Sequence, residues 1–152
     1  MARQIERELQ LSTPLQSLAR ELTLNVYRTD LVLTSALEEA LRPAHLHVDE
    51  YNVLRILRGA GADGHERGEI QRRMVHAADG LLAIFHRLKS RGLITGVRHL
   101  MITPAGLELL ASIDPAFEPA IEQRIGWIAA SKLKIAIDVL ESIRQGPPPP
   151  PA

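Results

Sequence analysis

A long stretch of regularly spaced apolar residues, with no proline or glycine between Pro14 and Pro43, constrains this fold most strongly. Thr13, Pro14 and Gln16 match the cap, first-turn proline and capping-box pattern that begins a helix. A helix of about 28 residues spans roughly 42 Å, which is too long for so small a domain to cover. We therefore predict that part of its apolar face packs against a second chain. Apolar residues recur in it at steps of three, four and seven, namely Leu15, Leu18, Leu22, Val26, Leu33, Leu37 and Leu41.

The low aromatic content indicates that the rest of the chain is also mainly helical. Phe, Trp and Tyr make up 3% of a chain that is 45% hydrophobic, so Leu, Ile, Val and Ala must fill the core. Because the chain has no cysteine, disulfides and thiolate metal sites are excluded. A charged N-terminus and the lack of an apolar run of about 18 residues predict a cytoplasmic protein without a membrane segment.

Shorter elements are predicted after the long helix. Helices over 49–58, 67–75 and 79–91 are followed by strands at 93–94 and 100–102, with a turn at Gly96. In these helices Ile70, Met74, Leu82, Phe85 and Leu88 are predicted to face inward. A further helix over 103–112 and a last helix over 114–145 each begin at a proline pair, Thr103–Pro104 and Asp114–Pro115.

The predicted fold is therefore mainly α with a short β-hairpin, arranged as a winged helix-turn-helix with long N- and C-terminal dimerisation helices. Residues 1–45 form a leader and the first dimerisation helix, and residues 46–112 form the winged helix-turn-helix domain. Residues 113–145 form the second dimerisation helix. The proline-rich tail over 146–152 is predicted to be disordered.

Three motifs resemble those of the MarR family of transcriptional regulators. Residues 46–57 (LHVDEYNVLRIL) resemble the family's second helix, with His47 where threonine is usual. Residues 87–94 (RLKSRGLI) are similar to the end of the reading helix, and residues 102–106 (ITPAG) to the segment that leaves the wing. The resemblance implies a non-enzymatic homodimer without a cofactor that binds double-stranded DNA at a pseudo-palindromic operator. It also implies a repressor that a small aromatic or phenolic effector releases.

The predicted DNA-binding residues lie in the middle of the chain. Residues 62–100 hold seven Lys/Arg and four Asp/Glu, so this segment is mildly basic although the whole chain has a formal net charge of zero. Arginines in such a segment are expected to contact phosphates, with Arg72 and Arg73 as the main pair. The full predicted set is Arg67, Gln71, Arg72, Arg73, His76, Asp79, Arg87, Lys89, Arg98 and His99.

The predicted reading helix departs from the family pattern. Residues 76–85 are mostly Ala, Gly and Leu, whereas base recognition uses hydrogen-bond donors and acceptors. Asp79 has the wrong charge for a phosphate, and only nine residues separate Leu93 from Thr103, which shortens the wing. A second hypothesis is therefore a dimer that no longer reads DNA and binds a protein partner or a ligand. Its protein contact would be an exposed apolar patch formed by Leu81, Leu82 and Ile84.

An effector pocket is implied by the resemblance alone. Its predicted wall is Leu22, Val26, Tyr27, Asp30, Tyr51 and Trp127. Core packing is the alternative explanation for Tyr51 and Trp127, and it is the favoured one. The spacing of His45 and His47 would also suit a metal site completed by His65 or Glu50, but a helix cap at His47 explains the pattern more simply. No arrangement of Ser and His indicates a catalytic nucleophile.

Overall fold

The computed structural model describes residues 3–76 and 80–147, and within these ranges the chain is mainly helical, as predicted. None of the helices in this part combines the length and apolarity that a membrane crossing requires. The strands are β1 (His65–Glu66), β2 (Ile94–Thr95) and β3 (His99–Ile102). The helices are α1 (Gln4–Glu8), α2 (Leu18–Leu41), α3 (Val48–Ala60), α4 (Arg67–Arg73), α5 (Leu81–Ser90), α6 (Pro104–Ile125) and α7 (Ala130–Gln145).

The three strands form an antiparallel sheet in the order β1-β3-β2. Ile94 lies opposite Ile102 in the predicted hairpin, and His65 of β1 lies opposite Leu100, a pairing that the sequence did not indicate. Gly96 lies in the hairpin turn with a φ of +96°, and a Cβ there would be 1.9 Å from a carbonyl oxygen of β3. The turn therefore requires glycine.

The long N-terminal helix begins later than predicted, and the residues before it are ordered. The side-chain oxygen of Ser17, rather than Thr13, caps α2. Ile5 of α1 and Leu15 are both buried. The Glu6 carboxylate accepts a hydrogen bond from the backbone amide of Leu15 at 2.7 Å. The prediction of a helix start at Thr13 is therefore wrong, because the hydrogen bond to Glu6 and the two buried side chains fix the residues between α1 and α2 as a connecting segment.

Helix α6 continues through the Asp114–Pro115 pair, so the predicted break there is wrong. Proline inside a helix removes a backbone hydrogen bond, but contacts with α3 hold both sides of this one. Arg58 donates a hydrogen bond to Asp114 at 2.5 Å, and the ring of Phe117 lies 4.3 Å from that of Tyr51. The helix instead ends before residues 126–129, which connect it to α7. The domain boundary predicted after residue 112 lies inside α6.

The core packs α3 and α5 against the sheet and the first half of α6. Its fully buried side chains are Leu41, Val53, Leu54, Leu57, Ile70, Leu88, Leu100 and Leu110. Helix α2 packs mainly along α6, whereas α7 buries no residue in the single chain. Large apolar side chains on α7 are exposed, namely Ile135, Ile137, Val139, Leu140 and Ile143.

Candidate nucleic-acid interface

Helices α4 and α5 form a helix-turn-helix that is anchored on α3. Ile70 of α4 is fully buried, which fixes this helix against the core. The side-chain oxygen of Asn52 on α3 accepts a hydrogen bond from the amide of Val75, in the turn that follows α4. Gly80, with a φ of +95°, precedes α5. Of the predicted contact residues, Asp79 lies outside the described part of the chain.

The inward face of α5 differs from the predicted one by a small rotation. Its buried residues are Leu81, Ile84, Phe85 and Leu88, whereas Leu82 is 65% exposed. The prediction that Leu81 and Ile84 are exposed is therefore wrong, and so is the inward placement of Leu82. The spacing 81, 84, 85, 88 is the i, i+3, i+4, i+7 pattern of a buried helix face. The apolar patch proposed for a protein partner is reduced to a single residue on this helix.

This rotation places an unpredicted residue, His86, on the outward face of the reading helix. His86 is exposed, one turn after Leu82 and on the same side. Its ring nitrogens can donate or accept a hydrogen bond, which the other side chains of this face near the start of α5, Leu82 and Ala83, cannot. The i, i+3, i+4, i+7 pattern that begins at Leu81 was the sequence signal that identifies it.

The arginine pair of α4 shares one carboxylate. Arg72 forms an ion pair with Glu69, and Arg73 donates to the same Glu69 side chain at 2.5 Å. Hydrogen bonds from Arg73 and Arg72 lower the pKa of Glu69 below its usual range. Both arginines remain mostly exposed, and two cations on one anion leave a net positive charge at this surface. Gln71 is also exposed.

Two further cations of the predicted set, Arg67 and Lys89, have no hydrogen-bond or ion-pair partner among residues 3–76 and 80–147. Arg67 begins α4 and is exposed, and Lys89 lies half-exposed in the last turn of α5. An unpaired cation can contact a phosphate without first breaking an existing ion pair.

Arg87 has a structural partner. Its Nε donates to a carboxylate oxygen of Glu50 at 2.8 Å, and the Glu50 side chain is only 4% exposed. Burial by itself raises the pKa of Glu50. Hydrogen bonds from Arg87 and from the backbone amide of His47, together with the positive charge of Arg87, outweigh burial and hold the pKa of Glu50 below its usual range. Arg87 therefore ties the reading helix to α3, and its role as a phosphate contact remains a prediction.

The wing carries two predicted contact residues near one carboxylate. Arg98 donates to Glu66 at 3.1 Å and His99 lies 3.7 Å from the same carboxylate. The Arg98 side chain is 84% exposed, and Val97 beside it is also exposed. Arg98 and Val97 therefore project into solvent beside the β2–β3 turn.

The segment that leaves the wing is held by its threonine. The hydroxyl of Thr103 donates to the carbonyl of Gly92 at 2.6 Å and accepts from the amide of Gly106 at 3.1 Å. A Cβ on Gly106 would lie 2.4 Å from the carbonyl oxygen of Leu93. Threonine and glycine in this motif therefore close the base of the hairpin against the first turn of α6.

His76, in the turn before α5, links the helix-turn-helix to α2. Its two ring nitrogens lie 3.6 Å from a carboxylate oxygen of Asp30 on α2 and 3.5 Å from one of Asp49 on α3. His47 lies 3.2 Å from Glu38 of α2 in the same way. Within the described ranges, no group of three or more His, Asp or Glu side chains is arranged to hold a metal ion.

A cavity of about 350 Å³ lies between α2, α3 and α6, next to the turn that precedes α5. Tyr51 and Asp30, both predicted pocket residues, line it together with Arg55, Phe117 and His76. Arg55 donates to the hydroxyl of Tyr51 at 3.0 Å. Burial raises the pKa of that hydroxyl above its usual range, more than the hydrogen bond from Arg55 lowers it.

The other predicted pocket residues lie elsewhere. Leu22 lies against α7 in a separate open groove, and Val26 and Tyr27 do not line the cavity. Trp127 is 81% exposed in the single chain, so the expectation that it anchors the core is wrong. For Tyr51, which is 4% exposed and packs on Phe117, the core role is confirmed.

Comparison with known proteins identifies the fold. No family model and no curated protein sequence matches the chain. A MarR-family transcriptional regulator from Silicibacter pomeroyi is 17% identical with a TM-score of 0.76, over 84% of this chain and 93% of that one. A MarR transcription factor from Planctomyces limnophilus is 28% identical with a TM-score of 0.64, over 84% and 98%. CouR from Rhodococcus jostii RHA1, bound to p-coumaroyl-CoA, is 20% identical with a TM-score of 0.72, over 85% and 95%.

The chain has the MarR-type winged helix-turn-helix fold. In this fold α4 and α5 form the helix-turn-helix, α5 is the reading helix, and the β2–β3 hairpin is the wing. The MarR-type motifs read from the sequence therefore lie where that fold requires them. His47 occupies the N-cap position of α3 in place of threonine, and its backbone amide donates a hydrogen bond to the Glu50 carboxylate at 3.0 Å.

Proposed function

We propose that this protein is a cytoplasmic DNA-binding transcriptional regulator, acting as a repressor, that binds a pseudo-palindromic operator as a homodimer. The observation that carries the proposal is a MarR-type helix-turn-helix whose reading helix has no carboxylate from residue 80 to residue 90. Exposed cations lie on α4, on α5 and on the wing, so this part of the molecule suits a polyanion. The solved MarR-type structures support the same function.

The homodimer is supported by the helices that lack a cover in the single chain. Helix α7 presents Ile135, Val139 and Ile143 to solvent, and Leu18 and Leu31 of α2 are also more than half exposed. Exposed apolar surface of this extent usually marks an interface, because each buried aliphatic side chain contributes about 1.5–3 kcal/mol. A two-fold pairing of these helices would cover both stripes at once.

Arg72 and Arg73 are the proposed main phosphate contacts. Their ion pairs with Glu69 are exposed, and exposed ion pairs within a helix contribute little to stability. A phosphate can therefore replace Glu69 as their partner at little cost. Further phosphate contacts are proposed for Arg67, Gln71, His76, Lys89, Arg98 and His99, while Arg87 is proposed to contact DNA only if its pair with Glu50 opens.

The cavity beside Tyr51 is the proposed effector site, for a small aromatic or phenolic acid. Tyr51 and Phe117 offer ring surfaces, and Arg55 offers a cation for a carboxylate. The cavity also borders His76 in the turn before the reading helix, so an occupant would press on the element that positions α5. CouR, a protein of the same fold, was solved with a ligand that carries a phenolic group, p-coumaroyl-CoA.

Fluorescence anisotropy tests the DNA-binding proposal. The wild type and an Arg72→Glu/Arg73→Glu variant would be titrated with a duplex selected from a randomised library, at about 50 mM and about 200 mM salt. We expect the variant to bind at least about tenfold more weakly, and its salt slope to fall by about four per dimer, since four phosphate contacts are lost. Arg124→Glu/Lys134→Glu makes the same charge change on α6 and α7 and serves as the control, with sedimentation used to verify that both variants remain dimers. Equal losses in both variants would contradict the proposed contact surface.

The effector proposal has a separate test. We expect p-coumarate to weaken DNA binding by the wild type, and an Arg55→Gln variant to lose that response while keeping its affinity for DNA. Arg20→Gln, an exposed change on α2, is the control and should respond like the wild type. An unchanged response in Arg55→Gln would contradict the placement of the carboxylate.

A further inference from the structure

The outward face of the reading helix is apolar near its start. Leu82 is 65% exposed, whereas the other leucines of α5, Leu81 and Leu88, are buried. Ala83 follows it on the exposed side, and His86 lies one turn later. The guanidinium of Arg87 is paired with the buried Glu50 of α3. It therefore does not contribute to the outward face of α5. The first two turns of α5 therefore present one large aliphatic side chain to whatever the helix binds.

The base edges in the major groove of DNA offer one strong apolar partner for such a side chain. Guanine, cytosine and adenine present hydrogen-bond donors and acceptors there, whereas thymine also presents its C5-methyl group. A leucine pressed against a donor or an acceptor would leave that polar group without water or a partner, which is unfavourable. Against a thymine methyl group, the same leucine buries apolar surface on both sides.

A protein partner would also cover Leu82, but the charge around it favours DNA. Residues 80–90 carry His86, Arg87 and Lys89 and no acidic side chain. Arg67 and the Arg72–Arg73 pair of α4 lie on the preceding helix, and Arg98 lies on the wing. A single exposed leucine on a helix-turn-helix whose two helices carry exposed cations matches a methyl group beside phosphates better than it matches an apolar protein surface.

From this placement we infer that Leu82 is a specificity-determining residue that selects thymine, through its C5-methyl group, at one position of each half-site. The inference rests on the proposed DNA-binding function and specifies what the reading helix recognises. Ala83 extends the same contact by one methyl group, without a polar demand of its own. Sequence preference would then come from a methyl contact, while the arginines set affinity and register.

Replacement of thymine by uracil tests this inference, because it removes the methyl group and keeps every hydrogen-bonding atom. The probe is the duplex of highest affinity from the randomised library, in which each thymine of a half-site is replaced in turn by uracil, in both half-sites together. For the wild type we expect one position at which affinity falls about 15-fold, or about fourfold for each methyl group. For Leu82→Ala we expect weaker binding to the thymine duplex and a response to uracil of less than twofold at that position.

Two controls separate failure of the inference from failure of the function. Leu107→Ala, an exposed leucine change on α6, should keep the full response to uracil. A duplex with a 5-methylcytosine–guanine pair at the sensitive position should bind more tightly than one with unmethylated cytosine. If a duplex is selected but uracil costs the wild type nothing, or costs Leu82→Ala as much as the wild type, the inference is overturned and DNA binding stands. If no duplex is enriched above random sequence, the proposed function itself fails.

Discussion

Replacement of Arg87 by methionine is predicted to destabilise the fold through Glu50. Methionine keeps most of the aliphatic stem of the side chain and removes the guanidinium that donates to Glu50 at 2.8 Å. The Glu50 side chain is 4% exposed, so its carboxylate would keep only the hydrogen bond from the amide of His47. A buried carboxylate with too few partners is among the more costly defects in a protein.

The size of the loss in stability follows from the exposed fractions of the Arg87 and Glu50 side chains. Removal of one partner of a fully buried ion pair costs about 3–5 kcal/mol. Arg87 is 52% exposed, so water can reach the vacated side of Glu50, and the value must be reduced toward that of one charged hydrogen bond. We therefore expect Arg87→Met to lower the free energy of unfolding by about 2 kcal/mol. Glu50→Gln in the same background should restore part of this loss, because it removes the unpaired charge.

Urea unfolding of the wild type, both single variants and the double variant measures this coupling as a double-mutant cycle. The loss should also depend on pH. The pKa of Glu50 is lowered in the folded state, so its ion pair contributes stability above the usual value of 4.5, and this contribution is lost as the pH falls. The difference between wild type and Arg87→Met should therefore be full near pH 7 and smaller at about pH 4. A loss below about 0.5 kcal/mol, or additive single effects, would refute the argument.

Three other perturbations test separate parts of the fold. Gly96→Ala should destabilise the wing by about 1–3 kcal/mol and lower the melting temperature, since its φ is +96° and a Cβ would meet a carbonyl oxygen. Gly59→Ala is the control: it has open space around it and should leave the melting temperature unchanged or raise it. Ile135→Asp or Val139→Asp should shift sedimentation toward the monomer, and a variant that sediments like the wild type would place the interface elsewhere. Asp114→Asn should cost about 1 kcal/mol near pH 7, as judged by thermal unfolding, because a partly exposed charged hydrogen bond is lost. The pKa of Asp114 is lowered, chiefly by its hydrogen bond from Arg58, so this cost should shrink as the pH falls below 3.8.

Features that depend on local chemistry were predictable from the sequence. The cap at Thr103, the glycine turn at Gly96 and the end of α5 at Gly92 each follow from a residue that only a few backbone conformations suit. The order of helices and the wing followed from these signals, and the solved MarR-type structures confirm the fold.

Features that depend on distant contacts were not predictable in the same way. Asp114–Pro115 has the local pattern of a helix start, but Arg58 and Tyr51 of α3 hold it inside a continuous helix. Thr13–Pro14 has the same pattern, but a hydrogen bond to Glu6 determines its conformation instead. In both cases a partner far away in the sequence overrides a local preference.

The candidate site was predictable in composition but less so in geometry. The cations of α4 lie on its exposed side, as the amphipathic pattern indicates. The outward face of α5 was predicted with the wrong rotation, because leucines at 81, 82 and 88 allow two choices of inward face. Only the position of Ile84, which packs in the core with Phe85, decides between them.

Because α6 is continuous, a movement at the base of the wing also moves the far end of that helix. The helix begins at the base of the wing and extends for 22 residues, roughly 33 Å, to the connection before α7. A tilt of about 5° at the wing therefore displaces the opposite end by about 3 Å, given that length. A break at Asp114 would have absorbed such a tilt as a hinge. Because α6 has no break there, a change in its tilt at the wing would displace the connection that leads into α7.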